Sequence, residues 1–473
     1  MTKRNPMPPF DSYLARLGDN PLQKIHDGVI GRDAVIDGPF GPRRMIYADY
    51  IASGRALRPI EDWVMENVLP WYANSHTEAS HCGGAMTRLR RAAREAIGFC
   101  THAGPDHAVI FTGSGATQGI NRLVHLLAAG PGTTVLIGPY EHHSNILPWR
   151  ESGAEVVTIP EAATGGPDLA ALRQTLARAA GPVIGSFSAA SNVTGTLTDV
   201  AEVTRILKAA GARAVWDHAG GAPYLPIDMR LGMDAVVLSP HKFIGGPGAS
   251  GVMILRRDAV LADRPTLPGG GTVRFVSPEG HDYSLSLEAR EEGGTPNVIG
   301  DIRAALVLLT KAAAGEERIA ARNAEWLALG MARLRHHPRI ELLGKLDAPR
   351  LPFFSFRIRD GRGGYIHQQL ATRMLSDLYG VQARGGCACA GPYVHHLLGL
   401  GPQDSARLRA AILAGDEIEK PGFVRLNLCW AAPRAEVEAI LDAVCDLAGR
   451  APDHLAHYRC DRATAIFTPV AAE

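Results

Sequence analysis

The stretch Ala235-Val-Val-Leu-Ser-Pro-His-Lys-Phe-Ile-Gly-Gly-Pro-Gly-Ala-Ser-Gly251 decides the fold. Its first four residues are apolar without polar alternation, which reads as a strand covered on both faces. Lys242 then stands at the strand end, before a glycine-rich bend, where an open α/β sheet meets its ligands. Upstream, Ala214-Val-Trp-Asp-His-Ala-Gly-Gly-Ala222 repeats the pattern and closes on Asp217 and His218. Outward from these lie Ala108–Phe111, Thr134–Ile137, Glu155–Thr158, Val183–Phe187 and Gly251–Leu255, seven short runs in all, most of them without alternation. Segments of helical spacing such as Leu169–Ala179 and Val200–Ala210 separate them. From about residue 85 to 310 this alternation predicts α/β architecture, a mostly parallel seven-stranded sheet wrapped by helices.

The texture changes after that. A long helical pattern runs from Ile302 to about Leu334, followed by Arg350-Leu-Pro-Phe-Phe-Ser-Phe-Arg-Ile358, a helix, a loop of glycines and cysteines, and a last helix over Arg434–Ala448. We expect an N-terminal arm over 1–40, a large domain over 41–310, and a smaller α+β domain over 311–473 that also takes part of the N-terminal segment. Residues 399–421 read as an insertion in the smaller domain. The 473 residues suffice for two or three domains with a sizeable core. Lys+Arg 49 against Asp+Glu 48 leave a net charge of +1, which disfavours a nucleic-acid partner. Seven scattered cysteines are not a disulfide framework and fit a reducing compartment. The polar, proline-rich start and the absence of a long apolar run predict a cytoplasmic protein with no membrane anchor.

Three features carry chemistry. Phe111-Thr-Gly-Ser-Gly-Ala-Thr-Gln-Gly-Ile-Asn121 follows a strand and opens a helix, so Gly115, Ala116 and Thr117 can hold a phosphate at the helix N-terminus, although such a turn needs glycines in any case. Asp217 is a strand-end carboxylate, or alone a turn cap. Lys242, between Ser239 and His241, is alone a solvated strand end. Together they supply the parts that hold pyridoxal 5'-phosphate: phosphate cradle, partner for the pyridine nitrogen, and an amine for the Schiff base.

These motifs resemble the class V, fold-type-I pyridoxal-phosphate enzymes, and among them the cysteine desulfurase/selenocysteine lyase group, over about Ile46 to Ala448. Ser239-Pro-His-Lys242 is similar to the family's lysine motif, which implies Ser239 and His241 near the phosphate. Glu141-His-His-Ser-Asn-Ile-Leu-Pro-Trp149 resembles the segment whose histidine, here His142, stacks on the cofactor ring and shuttles a proton. By the same resemblance Asn192 in Ser191-Asn-Val-Thr-Gly-Thr196 lies near cofactor and substrate carboxylate, and Arg425 in Phe423-Val-Arg-Leu-Asn-Leu428 clamps that carboxylate. Thr295 in Glu292-Gly-Gly-Thr-Pro-Asn297 would reach the phosphate of a partner subunit, implying a homodimer. Read singly, His142 is equally a core histidine, Asn192 a turn residue and Arg425 a surface residue. The chain departs from the family at Gly220, where a glutamine normally contacts the cofactor's phenolic oxygen; that contact is either lost or supplied by another group such as His218 or a water.

The reaction turns on Gln382-Ala-Arg-Gly-Gly-Cys-Ala-Cys-Ala-Gly-Pro392. Spacing from Arg384 places Cys389 where desulfurases of this group carry the nucleophile that takes sulfur from the substrate, with Cys387 as a second candidate and Arg384 as nearby positive charge. The expected function is removal of sulfur from L-cysteine, or a related amino acid, through a cysteine persulfide, leaving alanine and passing sulfur to an acceptor protein or small thiol. Other readings are a β-elimination lyase, epimerase or aminotransferase on another amino acid, small cysteines tolerated in a glycine loop, and a metal site joining Cys387 and Cys389 to His395 and His396, which lacks ordinary zinc spacing. A binding scaffold without catalysis would require a disabled Lys242 motif, and the motif is intact.

Overall fold

The computed structural model describes residues 8–75 and 78–470; residues 1–7 of the expected arm lie outside them. The chain divides into two compact units. The first comprises residues 1–30, 52–189 and 198–318, and the second residues 31–51, 190–197 and 319–473. The short segment 190–197, which carries Asn192, therefore groups with the second unit although it interrupts the first.

The first unit is built on a seven-stranded sheet of β1 (His107–Gly113), β2 (Thr134–Ile137), β3 (Glu155–Thr158), β4 (Val183–Ser188), β5 (Arg213–Asp217), β6 (Ala235–Leu238) and β7 (Gly251–Arg256). Their order is β1-β7-β6-β5-β4-β2-β3. Strands β2 to β6 pair in parallel, while β7 runs antiparallel to both β6 and β1. The exception follows from the connection: between Leu238 and Gly251 there is a single 3-10 turn at Pro240–Lys242 and no crossover helix, so the chain doubles back. Ile110, Val135, Ile184, Val215, Val237 and Met253 from the strands pack with Ile120, Leu123 and Trp149 in one buried cluster. Strand β3 departs from the expectation of two covered faces. It is a sheet edge, with Glu155 and Thr158 exposed and only Val156 and Val157 half-buried.

Helices α1 (His81–Cys100), α2 (Gly115–Leu126), α3 (Leu169–Arg178) and α4 (Val200–Ala209) also belong to this unit. The single helix expected over Ile302–Leu334 is two, α5 (Val298–Ala314) and α6 (Glu316–Leu334). Gly315 separates them at φ +88°, a backbone conformation that ends a helix and that glycine adopts without steric cost.

The second unit carries a four-stranded sheet of β8 (Ile340–Leu342), β9 (Phe353–Ile358), β10 (Arg384–Gly386) and β11 (Phe423–Asn427) in the order β8-β9-β11-β10, all pairs antiparallel. Helix α7 (Gln368–Tyr379) precedes the cysteine loop, α8 (Gly391–Leu397) follows it, and α9 (Pro402–Leu413) occupies the expected insertion. The last helix, α10 (Arg434–His454), runs past its expected end at Ala448. Among the described residues no helix is long and apolar enough to cross a membrane.

Candidate active site

In the first unit the strand ends assemble a polar cradle. Gly115 opens α2 at φ +64°, and a Cβ there would meet the Ser239 hydroxyl and the His241 ring, each at 2.9 Å. Only glycine keeps this space open. The Ala116 N–H donates to Ser239 Oγ at 3.0 Å, and Thr117 Oγ1 lies 2.7 Å from Ser144 Oγ. A helix N-terminus with a free concavity and two hydroxyls on its rim suits a phosphate.

His142 is fixed from the same side. The Ser144 N–H donates to its Nδ1 at 3.1 Å, which leaves the proton of the neutral ring on Nε2. Lys242 closes the 3-10 turn after β6, and Asp217 closes β5 beside it in the sheet. Asp217 is buried, and its Oδ1 accepts the Ala219 N–H at 2.7 Å. Burial raises its pKa above the ordinary carboxylate range, while that N–H and the Lys242 charge work in the opposite direction. Burial and the adjacent Lys242 push His241 down to about 4, so it is neutral at pH 7. A buried carboxylate, a lysine and a glycine-opened helix N-terminus at strand ends of one sheet form a donor set suited to pyridoxal phosphate.

His218 follows Asp217 directly at the end of β5. It is fully buried against Trp216, and burial together with Lys311 of α5 pushes its pKa down to about 3. Neither ring nitrogen of His218 has a hydrogen-bond partner among the described residues. Thr295 is exposed on a loop whose base is anchored by Glu292, which accepts from Arg90, Arg94 and the Phe111 N–H at 2.8 Å each.

In the second unit Asn192, Arg384, Arg425 and the cysteine loop come together. Asn192 Nδ2 donates to the Ala388 carbonyl at 2.7 Å, and Arg425 Nη1 donates to the Asn192 carbonyl at 3.0 Å. Arg425 is 3% exposed and pairs through Nη2 with Asp49 Oδ1 at 2.9 Å. Arg384 pairs through Nε with the other oxygen of Asp49, also at 2.9 Å. One carboxylate therefore bridges both guanidinium groups, and the Arg384 charge expected to serve the thiols is shared with Asp49. Ala388 and Cys389 both have positive φ, 51° and 54°, within a turn closed by the Ala390 N–H on the Cys387 carbonyl at 3.2 Å. Cys389 is exposed and Cys387 half-buried. His395 Nδ1 lies 2.8 Å from the Gly391 carbonyl and His396 stacks on Tyr393. No group of three His, Cys, Asp or Glu side chains among the described residues is placed to hold a metal.

Sequence reasoning missed Asp49, Ser144 and the role of Glu141 in this neighbourhood. Ser144 and Glu141 sat inside a quoted motif and were findable as polar neighbours of His142. Asp49 follows a two-residue strand and carries no local signal.

Residues 46–440 match the family model described as Aminotransferase class-V. The chain is 29% identical over 374 residues to a cysteine desulfurase of Escherichia coli, covering 74% of this chain and 86% of that protein. It is 30% identical over 356 residues to a probable cysteine desulfurase of Vibrio cholerae, covering 74% and 85%. In fold it resembles the apo cysteine desulfurase of Thermococcus onnurineus, with a TM-score of 0.72 at 23% identity over 86% of this chain and 95% of that one. With the family model spanning residues 46–440, most of its length, the chain belongs to the class-V aminotransferase family of enzymes.

Proposed function

We propose that this enzyme is a pyridoxal-phosphate-dependent cysteine desulfurase, which takes sulfur from L-cysteine onto its own Cys389 and leaves alanine. The observation that carries the reading is an exposed Cys389 on a tight turn pinned by Asn192, in the same unit as the buried Arg425. The named relatives support it.

Ser239, the Ala116 N–H, Thr117 and His241 would hold the phosphate, Asp217 the ring nitrogen and Lys242 the aldehyde carbon. When bound, pyridoxal phosphate supplies an electron sink for charge developing at the substrate Cα. Lys242 moves the proton at that carbon, and Asp217 keeps a negative charge against the ring nitrogen. His142, fixed by Ser144, would offer a second proton carrier. Arg425 takes the substrate carboxylate as a bidentate donor, which requires Asp49 to share or release it. The Cys389 thiolate forms an S–S bond as the substrate Cβ–Sγ bond breaks. The electron pair left on carbon is protonated to give alanine, and the outer sulfur passes to a thiol of an acceptor protein or small molecule. Thr295 completes the phosphate site of a second copy in a homodimer.

Product analysis tests the reading. Purified protein incubated with L-cysteine and a reducing thiol should yield alanine and sulfide in equal amounts. Pyruvate with ammonia would assign elimination instead, and a keto acid without sulfide would assign transamination; either outcome overturns the proposal.

A further inference from the structure

Glu141 is 3% exposed and has no role in the chemistry above, yet its carboxylate collects three donors. Oε1 accepts the Ser188 N–H at 2.8 Å, and Oε2 accepts the Ser188 hydroxyl at 2.6 Å and the Asn145 amide at 2.5 Å. Asn145 is itself locked: its Oδ1 accepts from Trp149 Nε1 at 3.0 Å and from the Ser186 hydroxyl at 2.6 Å. Space for this arrangement exists because residue 138 is glycine; a Cβ there would stand 2.6 Å from Glu141 Oε1.

The network joins two functional side chains. On one side Glu141 directly precedes His142, and Asn145 ends the 3-10 turn of His143–Asn145 that His142 caps. On the other side Ser188 ends β4 and is the register partner of Asp217 at the end of β5, and the Ala189 N–H donates to the Asp217 carbonyl at 3.0 Å. A carboxylate that replaces water with fixed donors on two segments holds those segments in one frame.

We propose that Glu141 is a positioning residue that, through Ser188 and Asn145, sets His142 and Asp217 relative to each other so that both address one cofactor ring. The inference rests on the reading of this sheet end as a pyridoxal-phosphate site. In Glu141→Gln an amide nitrogen replaces one carboxylate oxygen and confronts donors of Ser188 or Asn145, while size is kept. In Ser188→Ala one of the three bonds is lost. Leu172→Ala, at a buried position of α3, is a control for lost stability alone.

The experiment titrates pyridoxal phosphate into apoprotein, follows the visible absorption of the bound cofactor against pH, and records the unfolding temperature of each variant. Glu141→Gln should bind the cofactor about tenfold more weakly and shift the midpoint of the spectral pH transition by about half a unit or more, as expected for one buried polar contact turned unfavourable. Ser188→Ala should move both readouts in the same direction by less, and Leu172→Ala should lower the unfolding temperature and move neither. Wild-type affinity and midpoint in both network variants overturn the proposal, as do changes that the control reproduces at equal loss of stability. If Glu141→Gln does not fold, Ser188→Ala decides by the same criteria. If the wild-type protein gives no visible band and no borohydride-fixed adduct with pyridoxal phosphate, the cofactor reading itself has failed and this inference falls with it.

Discussion

At the strand ends of the first unit three proposed functional groups are tied down. Ser239 accepts from the Ala116 backbone, Asp217 from Ala219 and His142 from Ser144, and Asp217 is buried with its charge facing that of Lys242. In the second unit Cys389 is exposed on a turn in which two successive non-glycine residues have positive φ, and the buried Arg425 already has a carboxylate partner in Asp49. The difference teaches where each part of the proposed reaction needs rigidity. Holding a cofactor rewards groups whose desolvation is offset before it arrives. Carrying sulfur away requires a thiol that solvent and an acceptor can reach, and Cys389 in the second unit is exposed.

Four perturbations test this contrast between a rigid cofactor end and an accessible thiol. Lys242→Ala should lower product formation by about 10²–10⁴-fold or more, because proton transfer at the substrate carbon and cofactor attachment are lost together. Loss of the borohydride-reducible linkage, seen by intact mass, checks it. Asp49→Ala should destabilise the second unit by about 3 kcal/mol, since it removes the carboxylate paired with the buried Arg425, whereas Arg384→Ala, whose side chain is 51% exposed, should cost less than about 1 kcal/mol. Denaturant unfolding of the two variants separates the halves of the bridge.

The third perturbation is pH. Burial, with the Asp217 charge adding to it, pushes Glu141 up to about 7 from the model-peptide value of 4.5. Between these values the folded chain binds this proton and the unfolded chain does not. The Glu141 contribution is therefore full below the unfolded value and is lost as pH rises through the folded one. Unfolding of apoprotein from pH 4.5 to 7.5 should show a flatter pH dependence in Glu141→Gln than in the wild type; parallel curves would contradict the assignment. Last, Ala388→Gly should stabilise the fold by up to about 1 kcal/mol, because glycine occupies positive φ without the Cβ clash, offset in part by the entropy of the unfolded chain. Calorimetry reads it, and a destabilised variant would show that the turn is not strained.

Much of the fold was legible in the sequence. The seven apolar runs of the first unit are its seven strands because a strand buried between helices needs no polar alternation. The direction of β7 was not legible, since direction depends on what connects two strands, and a glycine-rich bend carries less pattern than a helix. The break at Gly315 was hidden because apolar spacing continues on both sides of it. Lys242, Asp217 and the Gly115 turn were readable as strand-end chemistry. Asp49 was not, because its partners Arg384 and Arg425 are hundreds of residues away and meet it only through the pairing of Ile46–Tyr47 with Val381–Gln382 and of β10 with β11.

The central claim, that Cys389 accepts the substrate's sulfur, is tested most directly by one measurement on three variants. Wild-type, Cys387→Ala and Cys389→Ala proteins, each loaded with pyridoxal phosphate, are mixed with L-cysteine without external thiol, and protein mass and alanine are read from the same samples. The wild type and Cys387→Ala should gain the mass of one sulfur atom on the peptide containing Cys389, matched by alanine. Cys389→Ala should gain none and form no alanine while keeping the cofactor spectrum. Alanine formation at the wild-type rate by Cys389→Ala would contradict the account.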